Sequence, residues 1–167
     1  IEGNAIEELF NLPQIIACKN IISKNIAKNI FQPLNVKLLF TDKFVEAELA
    51  KLLCNIYRDY NFAFSNQTAI LCRDLSINIS KVSDLASTDY KRFPELLPGP
   101  VSGPCLSKDI KILAENSDIK KNCNLFLNAR HTNENIINLI AEDIKSLLEE
   151  FNLSKILIMG ISFKSYP

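Results

Sequence analysis

The chain has 167 residues, 47% of them hydrophobic and 23% charged, the make-up of one average soluble domain that buries roughly two thirds of its unfolded surface. Nineteen basic residues balance nineteen acidic ones, which argues against nucleic acid as the main partner, since phosphates demand a basic surplus or stripe. Four Gly and seven Pro are too few for a collagen-like or low-complexity chain, and no apolar run reaches the ~18–20 residues of a membrane span.

The first 40 residues carry α/β patterning. A short helix is expected over 5–11 and a short apolar strand from Pro13 to Cys18. Ile22, Ile26 and Ile30 recur at helical spacing over 21–31, a run ended by Pro33, and Val36 to Phe40 forms a second strand. Residues 1–40 therefore read as the βαβ end of an α/β domain that starts upstream. Thr41 or Asp42 is placed to cap a helix over 43–75 that contains neither Pro nor Gly; at 1.5 Å per residue it is a rod of about 48 Å. Apolar residues from Phe44 to Leu71 nearly encircle it. Such a helix has to be covered all round, and a domain of this size covers one side, so a homodimer through helix 43–75 is expected. The competing reading is a helix covered by its own chain.

A shorter helix is expected from Ile77 to Ala86, followed by a polar connection to Phe93. Residues 94–106, PELLPGPVSGPCL, hold most of the proline and glycine; Leu96, Leu97, Val101 and Leu106 anchor them as an ordered loop. Ser107 is placed to cap a helix over 108–116. A long amphipathic helix follows over about 118–151, ended by a left-handed Asn152. Residues 155–161 are a continuous apolar run, the pattern of a buried parallel strand. Such a strand needs neighbours, so a further α/β domain is expected to begin near Lys155. The fold class is mainly α: a long-helix central dimerisation domain over 41–152, with short α/β remnants at 1–40 and 153–167.

Five cysteines stand at 18, 54, 72, 105 and 123, an odd number with no CxxC pair, and His131 is the only histidine. Neither a disulfide framework nor a metal site is expected, and a reducing cytoplasm is the default compartment. Two places can carry chemistry. Cys105 lies just ahead of an expected helix start, where free N–H groups favour a thiolate; Gly103 lets backbone approach closely, and Asp109 follows in the first turn. The alternative is a small buried thiol and an acid that merely serves the helix dipole. On the long helix, Glu48, Lys51 and Asn55 share one face. This polar stripe points to something polar or wet, or else is a solvated stripe with a Glu48–Lys51 pair.

Taken together, four blocks resemble the UDP-glucose/GDP-mannose dehydrogenase family: IEGNAIEELFNLPQII, AELAKLLCN, LPGPVSGPCLSKD and KILIMGISFK, in family order and covering nearly the whole chain. The resemblance assigns 1–40 to the end of an NAD-binding domain, 41–152 to the central dimerisation domain and 153–167 to the start of a UDP-binding domain. It implies a cytoplasmic enzyme that uses NAD to oxidise the C6 hydroxymethyl of a nucleotide sugar, a UDP-sugar by preference, to a carboxylate for surface polysaccharide precursors. Cys105 would attack the intermediate aldehyde to give a thiohemiacetal and then a thioester. Lys51 and Asn55 would stabilise the oxygen that gains charge, and Asp109 would tune Lys51 or position the hydrolytic water. Glu2, Arg92, Gly103 and Lys164 match substrate-binding positions. The glycine-rich run before the cysteine is interrupted by Pro100 and Ser102, closer to the N-acetylated-hexosamine and hexosaminuronate branch than to the UDP-glucose branch.

No GxGxxG occurs in the sequence, so the NAD site is expected mostly outside it, and residues 1–167 alone are expected to be inactive. Two other classes remain open: a β-hydroxyacid dehydrogenase, which also places Lys and Asn four apart on a long helix but needs no cysteine, and a non-catalytic helical dimerisation module.

Overall fold

A computed structural model describes residues 5–115 and 117–159. The chain is mainly helical with a two-stranded parallel sheet. After α1 (Ala5–Asn11), β1 (Gln14–Ala17) and β2 (Leu38–Thr41) pair with Gln14 opposite Leu38 and Ala17 opposite Thr41. Parallel strands need a crossover, and α2 (Ile21–Phe31) supplies it. Its start is fixed by a capping box the periodicity did not reveal: Asn20 Oδ1 accepts from the Ser23 N–H at 2.8 Å, and Ser23 Oγ accepts from the Asn20 N–H at 3.4 Å. Its expected apolar stripe, Ile22, Ile26 and Ile30, is exposed.

Helix α3 (Phe44–Asp74) runs 31 residues, about 46 Å. Neither Thr41 nor Asp42 is its cap. Lys43 takes that position without a side-chain bond; Thr41 instead accepts from the Lys43 N–H at 3.1 Å and donates to Glu46. Helix α4 (Ile79–Ser87) begins two residues later than expected, because Asn78 Oδ1 accepts from the Ser80 and Lys81 N–H groups at 2.8 and 3.3 Å. The loop that follows is anchored by buried Leu96, whose N–H donates to Ser83 Oγ at 2.9 Å; Leu97, expected as a second anchor, is exposed.

Two helix boundaries differ from expectation. Helix α5 is Pro104–Glu115, not 108–116. Proline suits the first helical position, whose N–H has no helical partner in any case. Ser107 is therefore not a cap; its Oγ lies in the first turn, donating to the Gly103 and Pro104 carbonyls at 3.3 and 3.2 Å. The helix expected over 118–151 is divided into α6 (Ser117–Lys120), a 3₁₀ turn (Lys121–Cys123) and α7 (Asn124–Glu150). The tighter turn leaves Cys123 3% exposed in the core, where its Sγ donates to the Ile119 carbonyl at 3.5 Å. Asn152 ends α7 in the left-handed region, φ 50°, and the Leu153 N–H closes back on the Leu148 carbonyl at 2.8 Å. The strand expected over 155–161 is not formed at 155–159: Ile156, Leu157, Ile158 and Met159 are exposed and pair with no strand among the described residues. Residues 160 and 161 lie outside them. A buried strand takes its hydrogen bonds and its cover from neighbours, and no described strand lies beside this run.

The core is where α3 meets α5 and α7. Ile56, Ile110, Ala114 and Cys123 are its buried centre, with Leu52, Leu113, Phe126 and Leu127 against them. Farther along α3 the expectation of an apolar girdle is corrected. The residues α3 buries include Asn55, Asp59, Ser65 and Asn66, and α7 answers with Arg130 and Asn133. Val45, Leu49, Leu53, Tyr57, Phe64 and Leu71 are instead exposed. Their spacing of four and seven residues keeps them on one side of the rod. The helix thus buries polar side chains among Ile56, Ala63 and Cys72 on its inner face and exposes a largely apolar outer face.

Candidate active site

Two helices assemble the candidate site. α3 brings Lys51 and Asn55, four residues apart and so on one face; α5 brings Cys105 and Asp109, also four apart. The contact between them is the buried bond from Asn55 Nδ2 to Asp109 Oδ2, 2.6 Å. The other Asp109 oxygen accepts from the Lys108 ammonium. Asp109 is 2% exposed. Burial alone would raise its pKa, but the hydrogen bonds from Lys108 and Asn55 and the charges of Lys108 and Lys51 outweigh that and hold it below the usual aspartate value. An ionised carboxylate at the helix junction results, tied to an amide on one side and to cations on the other.

Cys105 is an exposed free thiol in the first turn of α5, not ahead of it. Lys108 stands three residues on, in the same helix. Its bond to Asp109 raises its pKa above the usual lysine value, and the Cys105 charge acts in the same direction. Lys51 and Glu48 are both exposed, as the solvated reading of the stripe had it, but form no ion pair with each other. Gly103 has φ 115°, but a Cβ added to it would meet nothing within 4 Å. The positive φ is a backbone demand that glycine meets at no steric cost. Arg92 is exposed in the loop after α4 and makes no hydrogen bond or ion pair among the described residues. Glu2 and Lys164 lie outside the described residues.

Sequence reasoning missed two parts. Lys108 is one; its spacing of three from Cys105 was the available signal. The other is the polar seam that holds the proline-glycine loop. Arg130 Nη1 donates to Asp59 Oδ1 at 2.8 Å, and Asn133 Nδ2 donates to the same oxygen and to the Asp59 carbonyl, both at 2.8 Å. Burial raises the Asp59 pKa, with Asn133 and Arg130 opposing it. Asn66 Nδ2 donates to Asn133 Oδ1 at 2.9 Å and to the Gly99 carbonyl at 3.1 Å, while its Oδ1 accepts from the Gly99 N–H at 2.7 Å. Polar residues seven apart on α3 and three apart on α7 were the legible trace.

Among the described residues no cluster of three or more His, Cys, Asp or Glu could hold a metal, and no helix is long and apolar enough to cross a membrane.

Comparison with known proteins bears on this arrangement. Residues 45–135 match the pattern of the UDP-glucose/GDP-mannose dehydrogenase family, central domain. The UDP-N-acetyl-D-mannosamine dehydrogenase of Methanocaldococcus jannaschii is 30% identical over 165 residues, covering 98% of this chain and 38% of the relative. A solved UDP-D-ManNAc dehydrogenase from Pyrococcus horikoshii superposes with a TM-score of 0.78 at 28% identity, over 92% of this chain and 36% of that one. The UDP-N-acetyl-mannosamine dehydrogenase of Staphylococcus aureus gives 0.77 at 25% identity, over 98% and 37%. The chain thus spans little more than a third of the length of these proteins. The matched segment contains all four residues of the Lys51–Asn55–Cys105–Asp109 cluster and more than half of the chain, and the chain belongs to the UDP-glucose/GDP-mannose dehydrogenase family.

Proposed function

We propose that this chain is the catalytic middle of a UDP-sugar 6-dehydrogenase, acting on an N-acetylated hexosamine such as UDP-N-acetylmannosamine. On this reading 1–40 closes the NAD-binding domain, 41–152 is the central domain and 153–167 opens the UDP-binding domain. The carrying observation is the buried Asn55–Asp109 bond, which fixes the Lys51 helix against the Cys105 helix. The mannosamine dehydrogenases among its relatives support the substrate class.

The residues of this chain do not fit a dinucleotide site: the turn between β1 and α2, residues 18–20, contains no glycine. NAD, held by the preceding domain, supplies the hydride acceptor. The work of the chain's own groups follows from their charges. Oxidation of the hydroxymethyl leaves an aldehyde, which the Cys105 thiolate attacks at carbon. The carbonyl oxygen takes up negative charge, and the Lys51 ammonium with the Asn55 amide stabilises it. After loss of the second hydride the thioester carbonyl is attacked by water, and the thiol leaves with a carboxylate as product. Asp109, ionised and fixed, holds Asn55 and Lys51 in place and orients that water. The exposed apolar side of α3 supports a homodimer through this helix, and the free cysteines fit a cytoplasmic setting.

The test uses the complete protein with UDP-N-acetylmannosamine. Wild type should form two NADH per sugar, and C105A should stop at one, with aldehyde trapped by hydroxylamine. Two NADH per sugar from C105A would overturn the mechanism. The isolated 167-residue chain should form none.

A further inference from the structure

We propose that Asn66 is a positioning residue for the thiol: from the buried face of α3, about three turns beyond Asn55, it fastens the loop that leads into the first turn of α5, where Cys105 lies. This rests on the dehydrogenase reading above. Asn66 is 0% exposed, and its carboxamide binds Gly99 in both directions, accepting from the N–H at 2.7 Å and donating to the carbonyl at 3.1 Å. An amide side chain thus pairs with one loop residue as a neighbouring strand would. Its second N–H donates to Asn133 Oδ1, and Asn133, itself 0% exposed, is held by Asp59. Both N–H groups and the oxygen of Asn66 are therefore committed, and the side chain has one orientation.

Gly99 and Cys105 are six residues apart, with Pro100 and Pro104 between them limiting the backbone. Gly99 has φ 154° and Gly103 φ 115°, so the segment turns at two glycines and is stiff between them. Arg130 Nη2 meets the Val101 carbonyl at 3.5 Å from α7. The loop is therefore fixed from the α3–α7 seam at its start and by α5 at its end. Loss of the first fixing point lets the first turn of α5, with Cys105, shift, while Lys51, Asn55 and the bonded Asp109 one turn further on stay in place. The thiol then no longer meets the aldehyde at the oxyanion donors. A misplacement near 1 Å can cost about 100-fold, and only the step that uses the thiol bears it.

The test compares the two oxidations in the complete enzyme with UDP-N-acetylmannosamine, NAD and hydroxylamine. Asn66→Ala should slow aldehyde-to-acid conversion about 100-fold, leave the first oxidation within a few-fold, and shift product from acid to trapped aldehyde. The aldehyde-to-acid ratio is independent of how much enzyme is folded, which separates positioning from mere destabilisation. Asn66→Ser, which keeps a short polar group in the seam, should shift the ratio the same way by less. An unchanged ratio in either variant, or both steps slowed equally, would overturn the proposal. In unmodified protein the Gly99 amide should exchange hydrogen as slowly as the α3 amides beside it; fast exchange would overturn it without any variant. Wild-type enzyme that forms one NADH per sugar would instead sink the dehydrogenase reading, and Gly99 exchange would still decide whether the loop is fastened.

Discussion

Replacing Asn55 by Ala tests whether α3 and α5 are joined as described. The side chain is 8% exposed and gives its Nδ2 to a carboxylate 2.6 Å away that is itself 2% exposed. A hydrogen bond to a charged group contributes ~1.5–3 kcal/mol, and its loss leaves a buried acceptor short of one donor. The expected cost at pH 7 is about 2 kcal/mol, or a melting temperature lower by about 6 °C for a chain of this size. The pH dependence carries the sharper prediction. The folded Asp109 pKa lies below the usual value, with the Asn55 bond among the causes. Its ionised form therefore adds stability above the unfolded-state pKa, near 3.9, and that contribution disappears as pH falls through the lower folded value. Removing Asn55 raises the folded pKa toward the unfolded one. The gap between wild type and N55A should thus be widest near neutrality and shrink below about pH 4. Urea unfolding followed by circular dichroism, at one protein concentration from pH 7 down to pH 3, measures it. A gap under about 0.5 kcal/mol at pH 7, or one that widens in acid, would refute the reasoning.

Arg130→Met should cost about 3–5 kcal/mol, because it strands the Asp59 carboxylate in the seam; adding Asp59→Asn should recover part of it, and strict additivity in urea unfolding would count against the pair. Iodoacetamide followed by peptide mass mapping should label Cys105 and Cys54 in folded protein and reach Cys72 and Cys123, each 3% exposed, only after unfolding. Sedimentation should find a dimer that Tyr57→Asp or Phe64→Asp dissociates by placing charge on the apolar side of α3; a wild-type monomer at high concentration would remove that interface.

Patterns that repeat over many residues were legible in the sequence. The isoleucine spacing of α2, the uninterrupted α3 and the left-handed Asn152 all stand where the pattern put them. Single side-chain choices were not. Pro104 opens α5 where Ser107 was expected to, and Asn78 delays α4, because local hydrogen bonds decide a boundary that periodicity only brackets. The inner face of α3 was misread for a different reason. Hydrophobicity shows how much of a helix is apolar, not which side its neighbours take, and here buried amides and one ion pair take the side that hydrocarbon was expected to fill. At the site, the spacing of Lys51 and Asn55 and of Cys105 and Asp109 left a bland reading open, and the family resemblance singled these residues out; the structure brings Asn55 and Asp109 into contact. Asn66 acts through Gly99 and Asn133, 33 and 67 residues away, which spacing does not show, whereas Lys108, beside Asp109 and three residues from Cys105, was legible and passed over.

The four-residue intervals on α3 and α5 have an evolutionary corollary. Length changes among the exposed residues 88–92 alter only a surface excursion, since Leu96 is pinned to Ser83 and Asn66 grips the chain at Gly99. One residue gained or lost between 105 and 109 would swing the thiol roughly 100° around the axis of α5 while the carboxylate stayed bonded. Drift in this lineage should therefore accumulate as insertions before Leu96, and as point substitutions rather than indels between Cys105 and Asp109.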